Sequence, residues 1–276
     1  MLSGLKTASL YGIHPQELGF CGPRRSRFAT LRGKPAKNSV YNQLYNFILG
    51  KKVSQKKIRK ILEAFEGAFF YYKLIAKSNK IKDIFDEKVV KAYWIGNNLL
   101  EKVKTEDLRK MIARDFSGPG LLSQKIAEKK AKEIPEGSKP HHSSHVLVIG
   151  SVTGRIKLRG KLLDLCRVGW GKVGKISNFQ FPIPKLLIKY QPLVGKKVLR
   201  LGKPIEKEIF WNKRLVPNIK IGDWVSFHWD NAVQVLKKKE KNNLNKYTNL
   251  TLKLLKNSLK PSSENLTAIS NKRFIL

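Results

Sequence analysis

Two cysteines and five histidines are the soft and borderline metal donors in this chain of 276 residues. Cys166 sits in LLDLCRVGWGKV, with Arg167 beside it and Lys172 six positions on. Neighbouring cations favour the thiolate, the form that ligates metals or attacks electrophiles. The same residue also reads as a small buried apolar side chain in a strand, the usual fate of a free cysteine. His228 lies in IKIGDWVSFHWDNAVQVL, where alternation after the Gly222-Asp223 turn puts Trp224, Ser226 and His228 on one strand face. A thiolate and an imidazole at strand positions of one small barrel suit a transition metal such as iron.

The segment PHHSSH gathers His141, His142 and His145 within five residues. In a strand His141 and His145 share a face; on a helix His142 and His145 do. The cluster reads as a polar loop beside a strand or as a second metal or partner site. Gly169, Gly171 and Gly174 match a dinucleotide fingerprint as a string. The sequel KISNFQFPIP cannot open the helix whose amides would hold a pyrophosphate, so the match is coincidental.

These residues need elements to position them. From Ser54 the apolar residues recur at helical spacing through Ile58, Ile61, Leu62, Phe65 and Phe69. Asp86 and Thr105 open further helices, and LLSQKIAEKKAKEI is a basic one after Gly118-Pro119-Gly120. After Lys139-Pro140 the pattern changes to short β-prone runs, HVLVI, Arg155–Leu158, Val173–Ile176, VLRL, EIFW and WVSFH, separated by glycine turns. The sequence predicts an α+β protein: an all-helical module over 1–140, then a small OB-like β-barrel with a C-terminal helix over 141–258, and a flexible tail over 259–276. Residues 1–50 read mainly as a turn-rich loop before the apolar stretch Val40–Leu49.

Lys and Arg number 56 against 20 Asp and Glu, a net charge of +36. The excess raises nucleic acid as a partner, but only 13 of the basic residues are arginine, the side chain that best reads phosphates and bases. Two cysteines exclude a disulfide framework and point to a reducing compartment. No apolar run is long enough to span a bilayer, so a cytoplasmic location without membrane contact is expected.

CRVGWGKVGKI resembles the opening of the HypC/HupF hydrogenase maturation chaperones, a cysteine followed by C-x-x-x-P-G-x-V, with Trp170 in place of the proline. VPNIKIGDWVSFHWDNAVQVLKKKE resembles the same family's V-G-D-[YW]-V-x-x-H-x-G-F-A-x-x-x-L block. Gly222, Asp223, Trp224, Val225, His228, Ala232 and Leu236 align without a gap, while Asp230-Asn231 replaces its Gly-Phe. The resemblance implies an OB-like barrel that is not a turnover enzyme. It implies an iron centre held or passed through Cys166, with His228 assisting, and a HypD-like scaffold or hydrogenase large-subunit precursor as partner. Arg167, Trp170, Gly171, Trp229 and Asp230 are then the residues to meet that partner. The whole chain also resembles a prokaryotic family of unknown function through GFCGP, FEGAFFYYKLIA, VVKAYWIGNNLL, PHHSSHVLVI and LLDLCRVGWGKV. That resemblance groups Cys21, Glu66 and Trp94 with the histidine cluster His141, His142 and His145 and with Cys166, the cluster and Cys21 as a second metal or partner site, while Glu66 and Trp94 read as helix packing. The rival expectation is a basic OB-type module that binds RNA or single-stranded nucleic acid, with Trp170, Trp211, Trp224 and Trp229 as a stacking platform.

Overall fold

The computed structural model describes residues 3–23, 30–31, 34–35, 39–177 and 184–259. Arg24, Arg25 and Arg27, part of the insertion after Ser177, and the tail beyond Leu259 lie outside them.

Helix α1 (Gly4–Glu17) begins at Ser3, whose hydroxyl accepts from the Lys6 amide at 3.3 Å. It runs through the core, and small residues let its neighbours approach. A β-carbon on Gly4 would lie 1.9 Å from the Phe85 carbonyl oxygen, and one on Gly12 2.8 Å from the Phe65 ring. A short hairpin, β1 (Thr30–Leu31) with β2 (Lys34–Pro35), leads to α2 (Val40–Ile48) and α3 (Gln55–Glu63). The expected helix from Ser54 to Phe69 breaks at a turn over 64–68 and resumes as α4 (Phe69–Ser78). Helices α5 (Glu87–Trp94), α6 (Thr105–Asp115) and α7 (Gln124–Lys132) follow. Helix α5 stops because Gly96, at φ 92°, turns the chain out of the helix.

The expected strand HVLVI is instead a short helix, α8 (His142–Ser144), that widens into a π-helical turn over His145–Ile149. A short apolar run reads equally as buried strand or buried helix, and here Val146 and Ile149 are both buried in the helical form. Arg155–Leu158 forms no strand either. Cys166 is the last residue of α9 (Lys161–Cys166) rather than a strand residue.

Next come β3 (Gly169–Ser177), β4 (Lys185–Tyr190), a small ladder of β5 (Leu193–Val194) with β6 (Arg200–Leu201), then β7 (Ile205–Phe210), β8 (Trp224–His228) and β9 (Asn231–Val235). The five longer strands make a mixed sheet. β3 pairs antiparallel with β4 and β8, β4 with β7, and β8 with β9, while β7 meets β9 in parallel at Phe210 and Asn231. The glycines of the GWG segment serve this packing. A β-carbon on Gly169 would fall 2.3 Å from the Phe227 ring, and one on Gly171 2.8 Å from Ile188. Helix α10 (Lys238–Ser258) closes the chain against α8 through hydroxyl pairs, Ser143 with Thr248 at 2.9 Å and Ser144 with Thr251 at 3.0 Å. One buried apolar cluster joins residues of α1, α4 and α5 to residues of the sheet. No helix among the described residues is long and apolar enough to cross a membrane.

Candidate metal centre

Three donors meet where the helical part adjoins the sheet: His142 at the start of α8, Cys166 at the end of α9, and His228 at the end of β8. Their ligand atoms lie within 4.8 Å of one another. A tetrahedral ion with bonds of about 2.0–2.3 Å sets neighbouring donors roughly 3.3–3.6 Å apart, so modest side-chain rotations would close the set.

The helical part fixes both imidazoles. His228 Nδ1 lies 2.9 Å from the carbonyl oxygen of Tyr11 on α1. A carbonyl only accepts, so Nδ1 carries the proton, and Nε2 keeps a lone pair that is buried without a hydrogen-bond partner. His142 Nε2 lies 2.8 Å from the carbonyl oxygen of Cys166, which only accepts, so in the metal-free ring Nε2 carries the proton. His142 Nδ1 lies 2.9 Å from the Tyr93 hydroxyl, which also reaches the Gly67 carbonyl. A metal on Nε2 would take the place of that proton, leaving the Nδ1 tautomer with the Tyr93 oxygen as its acceptor. Burial opposes protonation, and the neighbouring His228 and His145 rings add to it, holding the His142 pKa well below the usual histidine range. Burial likewise lowers His228 to about 4, the bond to Tyr11 opposing the shift. Both rings are thus neutral near neutral pH, each with an oxygen beside its Nδ1, the arrangement that orients metal-bound histidines. Trp94 packs against both, 4.5 Å from the His142 ring and 5.5 Å from the His228 ring between centroids.

Cys166 does not carry the activation its neighbours suggested. Burial raises its thiol, with Cys21 adding to the shift. Arg167 turns away, donating to Asp164 Oδ1 at 2.8 Å and to the Gln191 carbonyl at 2.7 Å. Asp164 also accepts from Tyr190 and the Leu193 amide, so that carboxylate, not the thiol, is the partner of the guanidinium.

Next to His228 the β8–β9 turn places Trp229 at φ 51° and Asp230 at φ 56°, left-handed geometry that non-glycine residues rarely take. The turn is pinned on three sides. The Trp229 amide donates to Leu165 in α9, its ring packs 4.7 Å from Phe20, and Asp230 pairs with Lys207 at 2.5 Å. Strain held this way next to a donor fixes the spacing between β8 and α9.

A cavity of about 50 Å³ opens beside the donors, with largely apolar walls that include Phe65, Trp94 and Trp229, and it also reaches Cys21 and His145. The structure therefore regroups the expected site residues. His142 joins Cys166 and His228 rather than His141. His141 is buried away from the cavity: its ring stacks 5.5 Å from Tyr247, and its Nδ1 accepts from the Ser143 amide at 3.2 Å. Of the residues expected to meet a partner, Arg167, Trp170, Gly171 and Trp229 are buried, and only Asp230 keeps appreciable exposure. Three of the four tryptophans of the stacking platform, Trp170, Trp211 and Trp229, are buried as well, and Trp224 lies under the Lys241 ammonium. The residues missed from the sequence are Tyr11, Tyr93 and Gly67. Glu66 and Trp94 stood out within recurring segments but read as helix packing.

Fold and site together define a mixed α+β protein with a buried His-Cys-His cluster able to hold a metal. The chain belongs to a family of unknown function, DUF6390, whose family model matches residues 1–262. No curated protein and no solved structure matches it.

Proposed function

We propose that this protein holds a transition-metal ion on His142 Nε2, Cys166 Sγ and His228 Nε2. One observation carries the reading: each imidazole has an oxygen beside its Nδ1, and a nitrogen of each lies within 4.8 Å of the other and of the cysteine sulfur. One thiolate with two imidazoles suits iron, cobalt, zinc or copper and disfavours calcium and magnesium. Three protein donors leave a coordination position facing the cavity, open to a small exogenous ligand.

Iron is the preferred ion on the strength of the HypC-like segments around Cys166 and His228. On the same ground the protein acts as an accessory in metal-centre assembly, with a HypD-like scaffold or a hydrogenase large-subunit precursor as partner. The ring of strand pairings agrees with an OB-like barrel. The enclosure of Cys166 favours stable holding over rapid exchange, so delivery would require the Phe20–Trp229 side of the cavity to open. With Trp170, Trp211 and Trp229 buried, the tryptophan platform of the nucleic-acid reading is reduced to Trp224.

Reduced, anaerobically purified protein should bind Fe2+, and Co2+ as a spectroscopic substitute, with a near-ultraviolet thiolate-to-metal band. Cys166→Ala and His228→Ala should each abolish that band while retaining the fold by circular dichroism. Equal metal content in wild type and Cys166→Ala overturns the proposal. Metal binding without capture of a purified HypD-like scaffold removes the assembly role and leaves the metal site.

A further inference from the structure

The metal cavity has a second pair of donors on its far wall. Cys21 follows α1, where the amides of Phe20 and Cys21 both donate to the Pro15 carbonyl and turn the chain back over the helix end. His145 opens the π-helical turn, more than nine-tenths buried, with Nδ1 3.1 Å from the Tyr71 hydroxyl. Its Nε2 has no hydrogen-bond partner among the described residues.

Gly67 shows how these two donors relate. A β-carbon there would lie 3.0 Å from His145 Nε2 and 3.5 Å from Cys21 Sγ, so both atoms flank one point beside the cavity. The φ of Gly67 is not left-handed, so its backbone does not require glycine. What the missing side chain provides is room between an imidazole nitrogen and a thiol. Both cysteines of the chain and three of its five histidines thus border one small space.

We infer that the cavity takes a second transition-metal ion on Cys21 Sγ and His145 Nε2, making the site a two-metal centre. This rests on the proposed inner site. Two protein donors are too few to hold an ion alone, and Cys166 is the sulfur placed in the same cavity for both ions to share. A cavity of about 50 Å³ has room for several guests of water size, at roughly 10–15 Å³ each, so ions and a small bridging ligand fit together. Soft sulfur and borderline nitrogen again select iron, cobalt, zinc or copper.

Anaerobic titration of the full chain with Co2+, read by metal analysis after dialysis and by native mass spectrometry, tests this. Wild type should retain two ions per chain, Cys21→Ser one, and Cys166→Ala none. Gly67→Ala keeps every donor but places a methyl between Cys21 and His145, and it should also fall to one. Thermal melting of the metal-free variants checks that each is folded. One ion in wild type, with the same count and spectrum in Cys21→Ser, overturns the second site and leaves the first. Two ions in both proteins also overturns it. No bound ion in wild type overturns both.

Discussion

The two walls of the cavity are built by different means. On the inner wall, His142 and His228 are each held at Nδ1 by an oxygen from the buried helical core, and the strained turn at Trp229-Asp230 locks β8 against α9. On the outer wall, Cys21 sits in a loop held chiefly by Arg155, which donates to the Gly22 carbonyl at 2.7 Å and to Glu66 Oε1 at 2.8 Å. Glu66 in turn accepts from the Gly22 amide at 3.1 Å. A wall backed by packed core keeps its geometry without a guest, because moving either ring leaves a buried polar group unpaired. A wall held by a partly exposed ion pair yields more easily. The contrast suits the inner wall to the preorganised binding proposed above and the outer one to adjustment or entry.

Acid should have the largest effect, through the buried imidazoles on both sides of the cavity and beside it. The folded-state pKa values of His141 and His145 are near 3 and that of His228 near 4, and His142 is lower than the usual range, all chiefly through burial. Unfolded, these residues titrate near 6.5. Between those values the unfolded chain binds more protons than the folded one, so stability present above pH 6.5 is lost as pH falls toward 3 to 4. Each imidazole contributes a slope of up to about 1.4 kcal/mol per pH unit. Metal-free protein should lose several kcal/mol between pH 7 and pH 5, seen as a steep fall in urea midpoint. Metal should delay that fall in wild type and fail to do so in Cys166→Ala. A flat urea midpoint from pH 7 to pH 5 would show that these imidazoles are not buried neutral.

Removing the thiol is the next largest effect. Cys166→Ala leaves two imidazoles, and a loss of at least about a thousandfold in Co2+ affinity is expected, on the order of 4 kcal/mol. Tyr93→Phe should do less. It keeps the ring that stacks 5.0 Å from Tyr71 but takes away the oxygen that would accept from Nδ1 of metal-bound His142. Loss of such a supporting partner costs about 10–100-fold in metal affinity. Competition against a chromophoric chelator would measure it, and unchanged affinity would mean His142 is oriented by packing alone.

Some of this was legible in the sequence and some was not, for physical reasons. His228 was, because a strand announces itself by alternation and a Gly-Asp turn sets its start. Helices α6 and α10 were, because one apolar face repeats at helical spacing. Helix α1 was hidden: it is buried on nearly all sides and rich in small residues, so it lacks the apolar stripe that marks a surface helix. With α1 unread, neither Tyr11 nor the loop that brings Cys21 back could be placed. Cys166 was misassigned to a strand because LLDLC is a short apolar run with no period of its own. The pairing of His142, rather than His141, with Cys166 depends on a tertiary contact between segments far apart in the chain, which local spacing does not encode.

The smallest effect distinguishes the walls through their thiols. Burial first, and the Glu66 carboxylate second, push Cys21 up to about 12. Glu66→Gln keeps an oxygen for the Gly22 amide but removes the charge facing Cys21 and the ion pair with Arg155. The pair is partly exposed, so a stability loss of only about 1 kcal/mol is expected, a few degrees in Tm at this chain length. The more telling change is kinetic. Without the carboxylate the Cys21 thiolate forms at lower pH and its loop is less firmly held. Iodoacetamide at pH 8.5 should therefore alkylate Cys21 several-fold faster in metal-free Glu66→Gln than in wild type. Cys166 has no such carboxylate among the causes of its shift, so its rate should stay the same. Peptide mass spectrometry of the two cysteines reads both rates in one sample. Equal acceleration at both would mean the cavity opens as a unit, and that the two walls are not held independently.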